Sequence, residues 1–383
     1  MKLFSYKRLT GLFGVILISI LLAACGNSGS TGTSGGGGTT TTSTKPGQGC
    51  TKVGVLLPET ASSARWDSQD KPLLTNGIKA ALGSSATVDY NNAGGDAPTQ
   101  QTQAQADLTK GDCILIVAAA DSVAAATIVS QAKAKNVPVI AYDRLIQSSA
   151  LNYYVSFDNQ KVGQLQGQYV ADHYKDYTKT STNLFMINGA QTDNNAILFR
   201  AGAHTALDPL ISAKSLNNVY ETYTPKWDND QARIEMEGAL TAHQNKVGVA
   251  YVANDGMANS VIAALKTKQL NGKVLVTGQD ATVAGIHNIL LGDQSMTVYK
   301  AISKEANATI SLVKAISAGT DTTSLASSSV KTQDGTSIPS ILETPVSVDK
   351  SNIATTVIAD GFVTKADVCA GIPASTNTGG VCS

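Results

Sequence analysis

The sequence predicts an α/β fold of two doubly wound parallel-sheet lobes joined by a multi-strand hinge. Three observations carry that prediction. From residue 51 short apolar runs of strand length alternate with amphipathic stretches of helix length, and the same alternation begins again near residue 159. A late helix and strand follow the second series, so the chain recrosses between lobes before it ends. Run after run also closes on a planar donor, an acceptor or an aromatic, at the strand carboxyl ends where open parallel sheets present their ligands.

Ahead of the lobes stands a segment of another kind. Lys2, Lys7 and Arg8 precede the apolar stretch "GLFGVILISILLAA", which ends on small residues and Cys25, the pattern of an export signal. The ending "LLAAC" is similar to the lipobox of bacterial lipoproteins, which implies that residues 1–25 act as a signal and that Cys25 becomes the lipidated N-terminus. Residues 26–49 hold almost nothing apolar and are expected to form a flexible tether, spanning roughly 27 Å as a random coil. The folded body then starts near Cys50 and is long enough for two domains of ordinary size.

Within the first lobe the runs are "KVGVLL", "TVDYN", "CILIVAAA", "VPVIAY" and "YYVSF", with helices expected over 67–82, 98–110 and 122–135. In the first helix Ser68 or Asp70 can cap, Pro72 suits the first turn, Leu74, Ile78 and Leu82 share one face, and Gly83 can end it. The second lobe repeats the rhythm: helix 159–174, "TNLFMIN", helix 193–207, "NNVYETY", helix 228–243, "KVGVAYV", helix 256–269, "KVLVTG", helix 281–291 and "SMTVYK". A helix near 303–318 and one late strand, "ILETPVSV", complete the pattern. The expected division is 51–158 plus about 301–344 for the N-terminal lobe, and 159–300 plus about 345–368 for the C-terminal lobe. A cysteine-bearing tail, 369–383, follows.

Composition excludes several functions. With 29 basic and 29 acidic residues, and no basic run in the mature part, nucleic acid is not an expected partner. Four His without ligand spacing give no metal site, and no dinucleotide glycine fingerprint, nucleophile elbow or Ser-His-Asp set is present, so neither a cofactor nor catalysis is expected. Paired carboxylates of the glycosidase kind leave a surface carbohydrate enzyme open as an alternative. Beyond Cys25 an even number of cysteines in an exported chain favours disulfides. Four allow three connectivities. A strand order of 2-1-3-4-5 would put Cys50 and Cys113 at the amino ends of neighbouring strands, which leaves Cys369 with Cys382.

The strand ends collect Arg65, Trp66, Asp143, Arg144, Asp193, Asn194, Asn195, Trp227, Asn254, Asp255, Gln279, Asp280 and Lys300. A sugar offers hydroxyls that both donate and accept, and two faces of C–H groups. Carboxylates, amides, Arg and Lys match its rim, and indoles match its faces. Taken singly, Asn254, Asp280 and Asp193 are read equally well as helix caps, Lys300 as a solvated charge and either Trp as a filler. Their joint occurrence at strand ends is what points to a sugar. As loop residues they are expected to add little to the core.

The segments "SSARWDSQD", "VIAYDRLI", "YYVSFDNQKVGQLQG", "TDNNAILFRAG", "KVLVTGQDATVAGI" and "MTVYK" closely resemble the D-xylose-binding branch of the type I periplasmic sugar-binding proteins of bacterial ABC transporters. The resemblance runs from about residue 51 to 365. It implies that Arg65, Trp66, Arg144, Asp193, Asn195, Trp227, Asn254, Asp280 and Lys300 hold a pentose between two closing lobes, beside Asp143 of the same strand end. It further implies a monomer that delivers the sugar to an ABC transporter permease and touches the membrane only through its lipid. Another pentose or a hexose, carried to a sensor or chemoreceptor, is the alternative within that fold. Ala301 stands where relatives often have Pro, and the tail after about 366 is outside the common pattern.

Overall fold

The computed structural model describes residues 45–61 and 63–382. The expected signal segment with Cys25, and residues 26–44 of the expected tether, lie outside the described residues. Residues 45–49, the end of that tether by sequence, form a turn in which Gly49 N donates to Ser317 O at 2.7 Å and Lys45 Nζ to Gly319 O at 3.0 Å.

The first sheet starts with β1 (Lys52–Leu57), β2 (Thr87–Asn92), β3 (Ile114–Val117), β4 (Val139–Tyr142) and β5 (Tyr153–Phe157), linked by α1 (Lys71–Leu82), α2 (Ala97–Lys110) and α3 (Ala126–Ala134). These strands lie parallel in the order β2-β1-β3-β4-β5. Alternation along β1 decides which helix covers which face. Val53, Val55 and Leu57 join Leu74 and Ile78 of α1 in one core, while Leu56 joins Ala104 of α2 and Ile128 of α3 in another.

The chain then builds a second body from α4 (Asn159–Tyr177), β6 (Asn183–Asn188), α5 (Asn194–Ser212), β7 (Asn217–Tyr223), α6 (Asn229–Ala242), β8 (Val249–Val252), α7 (Asp255–Thr267), β9 (Leu275–Val276), α8 (Val283–Leu291) and β10 (Thr297–Tyr299). Its sheet runs parallel in the order β7-β6-β8-β9. Close packing of α4 on α5 needs Gly163, where an added Cβ would stand 1.8 Å from Phe199 O. That approach fixes the start of α5, where several site residues lie.

Helix α9 (Ile302–Ala318) returns to the first body, placing Ala306, Leu312 and Val313 in the core under β1. Two strands then extend the first sheet: β12 (Ser337–Glu343) is parallel to β5, and β11 (Ser328–Lys331) is antiparallel to β12. After Pro345, β13 (Val346–Val348) pairs antiparallel with β10, and the chain ends in the tail that carries α10 (Lys365–Cys369). The chain therefore passes between the bodies three times: after β5, after β10, and between β12 and β13.

Three local expectations change. "ILETPVSV" is two strands in two sheets, because Pro345 cannot donate to a ladder and turns the chain from one body to the other. Strand β11 was not expected, being short, Ser-rich and largely exposed. Neither Ser68 nor Asp70 caps α1; a wide helical turn over Trp66–Asp70 leads into it, and the Asp70 side chain is drawn inward. The cysteines pair as expected, Cys50 with Cys113 and Cys369 with Cys382.

Candidate ligand-binding site

Loops at the carboxyl ends of both sheets bring Arg65, Trp66, Asp143, Arg144, Asp193, Asn195, Trp227, Asn254, Asp280 and Lys300 around one cavity, joined by Ser63, Phe199 and Gln279. Of the thirteen strand-end residues, Asn194 and Asp255 do not line it, Asn194 accepting from Gln147 Nε2 at 2.9 Å and Asp255 from Thr282 N and Gln294 Nε2 at 2.8 Å each, while the ten expected to bind the ligand are all in one place. Four come from the first body, five from the second, and Lys300 sits on the second crossing between them.

Asp143 is the centre of the arrangement. It follows β4 in a left-handed conformation, φ 59°, and its carbonyl oxygen accepts from Ser156 Oγ at 2.7 Å, Tyr154 Oη at 3.0 Å and Asn195 Nδ2 at 3.0 Å. These bonds stabilise an unusual backbone and aim the carboxylate inward. The carboxylate accepts from Arg65 Nη1 at 2.8 Å, from Asn195 Nδ2 at 3.0 Å and from Lys300 Nζ at 3.4 Å. Burial alone would lift its pKa; Lys300, Arg65 and Arg144 more than offset that and hold it well below the usual carboxylate range.

Arg65 lines the cavity but is largely engaged within the protein. Its Nε and Nη2 grip Asp70 at 2.9 and 2.7 Å, Nη2 also donates to Glu305 at 3.0 Å, and Nη1 donates to Asp143. Four of its five N–H donors therefore serve protein carboxylates, so it holds the site's anions in place more than it reaches for hydroxyls. Asp70 further accepts from Tyr142 Oη at 2.6 Å. Burial together with the Asp143 charge pushes the Glu305 carboxyl well above the usual carboxylate range.

Arg144 spans the two bodies. It donates to Glu59 Oε1 at 3.0 Å and pairs through Nε with Asp193 Oδ2 at 2.9 Å. Asp193 also caps α5 by accepting from Asn195 N at 2.9 Å and takes the Trp227 indole N–H at 3.1 Å, so capping and cavity roles coincide in one residue. Asn254 likewise caps α7 through Met257 N at 2.9 Å. Asp280 is no cap; Thr282 does that for α8, and Asp280 lies 3.6 Å from Lys300 Nζ.

The two indoles are held firmly. Trp66 is 2% exposed and packs with the first core, with the Arg65 and Arg144 guanidinium groups 4.5 and 5.3 Å from its ring centre. Trp227 meets Phe199 edge to face at 6.3 Å and lies over Gly189, where a Cβ would come within 2.1 Å of its ring. Both therefore belong to a core as well as to the cavity, contrary to the expectation that such loop residues add little to it.

A periplasmic binding protein domain matches residues 53–321. The chain belongs to that family. A D-xylose-binding periplasmic protein of Haemophilus influenzae is 35% identical over 83% of this chain and 92% of its own, and its Escherichia coli counterpart is 34% identical over 81% and 90%. An ABC transporter solute-binding protein of Clostridium phytofermentans with bound β-D-glucose superposes with a TM-score of 0.71 at 29% identity, covering 83% of this chain and 99% of that one. The fold is that of the type I periplasmic binding proteins, an extracytoplasmic family; among the described residues no helix is long and apolar enough to cross a membrane.

Against the family's cleft, the polar atoms left over in the cavity gain meaning. Trp66 Nε1, Gln279 Oε1 and Asp280 Oδ1 are buried, line the cavity and have no hydrogen-bond partner within the protein, Lys300 Nζ standing 3.6 Å from the last. One donor and two acceptors, buried at a cost unless met, match hydroxyl groups. The carboxylates that hold Arg65 and Arg144, namely Asp70, Glu305 and Glu59, were not singled out as site residues by sequence. Asp70 sits on the same helical turn as Arg65, five residues on, and that spacing is the one sequence signal available.

Proposed function

We propose that this protein captures one monosaccharide, D-xylose first, in the cavity where the two bodies meet, and delivers it to an ABC transporter permease. It is a sugar-binding protein of the ABC-transporter kind. Residues 51–158 with about 301–344 form one closing lobe, and 159–300 with about 345–368 the other. Cys25 carries the lipid that keeps a monomeric protein at the outer face of the cytoplasmic membrane. Sugar binding with no catalytic step is the whole activity.

The observation that supports this best is the convergence of ten strand-end side chains from both bodies on one cavity that keeps three buried polar atoms without hydrogen-bond partners. Trp66 and Trp227 offer apolar surface to the sugar's C–H faces, Asp280, Gln279 and Asn254 meet hydroxyls from the second body, Asp143 meets them from the first and Lys300 from the crossing. The curated D-xylose binders at about a third identity favour a pentose; the glucose-bound neighbour makes a hexose the second reading.

Calorimetric titration with D-xylose, L-arabinose, D-ribose, D-glucose and D-galactose tests the reading. A pentose has about ten heavy atoms, each able to contribute at most roughly 1 kcal/mol before closure costs, so a Kd of about 0.1–10 μM is expected for D-xylose. A tighter hexose would replace the ligand and keep the function. Absence of saturable heat below about 1 mM for every sugar would refute it.

A further inference from the structure

At the other end of the first sheet, towards the amino ends of its strands, three carboxylates gather. Asp89 on β2, Asp107 on α2 and Asp112 just before β3 place one oxygen each within 4.8 Å of one another. Asp107 is fully buried, and Asp112 is 2% exposed with its Oδ2 lacking any hydrogen-bond partner. Burying a carboxylate beside two others is costly unless a cation or a proton meets it. Lys110 supplies only part of this: its ammonium stands 3.5 Å from both Asp89 and Asp107 and is itself more than half exposed.

The backbone leaves room for the cluster. Gly54 on β1 faces it, and a Cβ there would lie 3.0 Å from Asp112 Oδ2 and 3.1 Å from Asp107 Oδ2. Asn91 Nδ2 holds Asp107 Oδ2 at 2.8 Å, Asp112 N donates to Asp107 O at 3.1 Å, and the Cys50 to Cys113 disulfide ties down the residue after Asp112. The oxygens are therefore positioned by the fold rather than by each other.

We propose that Asp89, Asp107 and Asp112 form a calcium site, with Asp112 Oδ2 as the buried ligand and Asp89 at the solvent rim. Carboxylate oxygens suit a hard divalent cation. Calcium, with ligands at about 2.4 Å, accepts opposite oxygens about 5 Å apart and completes its shell with water; magnesium draws them to about 4 Å and demands a strict octahedron. The site lies apart from the sugar cavity, so it stabilises the first body without taking part in sugar recognition.

The test is a thermal melt of the chelator-stripped full chain in increasing CaCl2. A saturable rise of about 2 °C or more is expected, with one calcium per chain by elemental analysis, and it should vanish in Asp89→Ala and in Asp112→Asn. Asp89→Ala alters only the exposed rim, so it remains informative if Asp112→Asn fails to fold. No rise up to several millimolar calcium, an equal rise in MgCl2, or a rise that survives Asp89→Ala would each overturn the assignment.

Discussion

At the residue scale, the cavity is a set of side chains that already satisfy one another in part, and this changes what substitutions should do. Trp66 is both a core residue and a wall of the cavity. Replacing it with Ala removes a stacking face and opens a gap, so sugar affinity should fall by about 1–3 kcal/mol while the melting temperature also drops. The affinity term is the diagnostic one; a Trp66→Ala protein that melts lower yet binds with unchanged Kd, measured by calorimetry, would reduce Trp66 to packing. Arg65→Ala should act mainly on stability. It strips the partner from Asp70, Asp143 and Glu305, all buried, and removing one side of such a cluster costs about 3–5 kcal/mol. Urea unfolding of Arg65→Ala checks this, and a midpoint equal to wild type would show that the three carboxylates do not depend on it. The sequence made the cavity residues legible because strand ends in a parallel sheet converge whatever the details. It hid Glu305, because Arg65 lies 240 residues away and only the tertiary fold joins them, and it disguised Asp70, five residues after Arg65, as a helix cap.

At the scale of elements, what could be read was the alternation of buried strands and one-faced helices. Strands such as "ILIV" of β3 are apolar without a break, and helices such as α1 carry Leu74 and Ile78 four apart, so both announce themselves. The elements that were missed or merged have no such signal. Strand β11 buries little, and Pro345 splits a run that reads as one strand. The tail and the residues just before it are a further case: Val363, Val368 and Val381 pack with Ile286, Ile289 and Leu290 of α8, and the Cys369 to Cys382 bond closes a 13-residue span. Opening that loop by Cys369→Ser with Cys382→Ser should lower stability by about 3 kcal/mol in the chain-entropy view. Sugar affinity should stay within about twofold, because no described tail residue lines the cavity. A melt and a titration on the double variant check the two halves, and a tenfold loss of affinity would mean that the tail braces α8 and the Asp280 loop before it.

At the scale of the whole folded body, residues 45–382, function rests on two α/β bodies joined by three crossings and bridged by ion pairs and hydrogen bonds that involve a few of the cavity's own residues. Arg144 to Asp193 and Asn195 to Asp143 are such bridges, and Lys300 on the crossing meets Asp143. Hydrogen bonds outside the cavity add to these, from Gln147 to Asn194, from Asn194 N to Ser122 and from Asn229 to Ala61, and a sugar that satisfies cavity groups from both sides is expected to favour closure further. The most direct test of that claim is small-angle X-ray scattering of the protein with and without the tightest-binding sugar of the calorimetric panel. A saturable fall in radius of gyration is expected, with a midpoint that follows the calorimetric Kd. An unchanged radius at saturating sugar would contradict a clamp of two closing bodies.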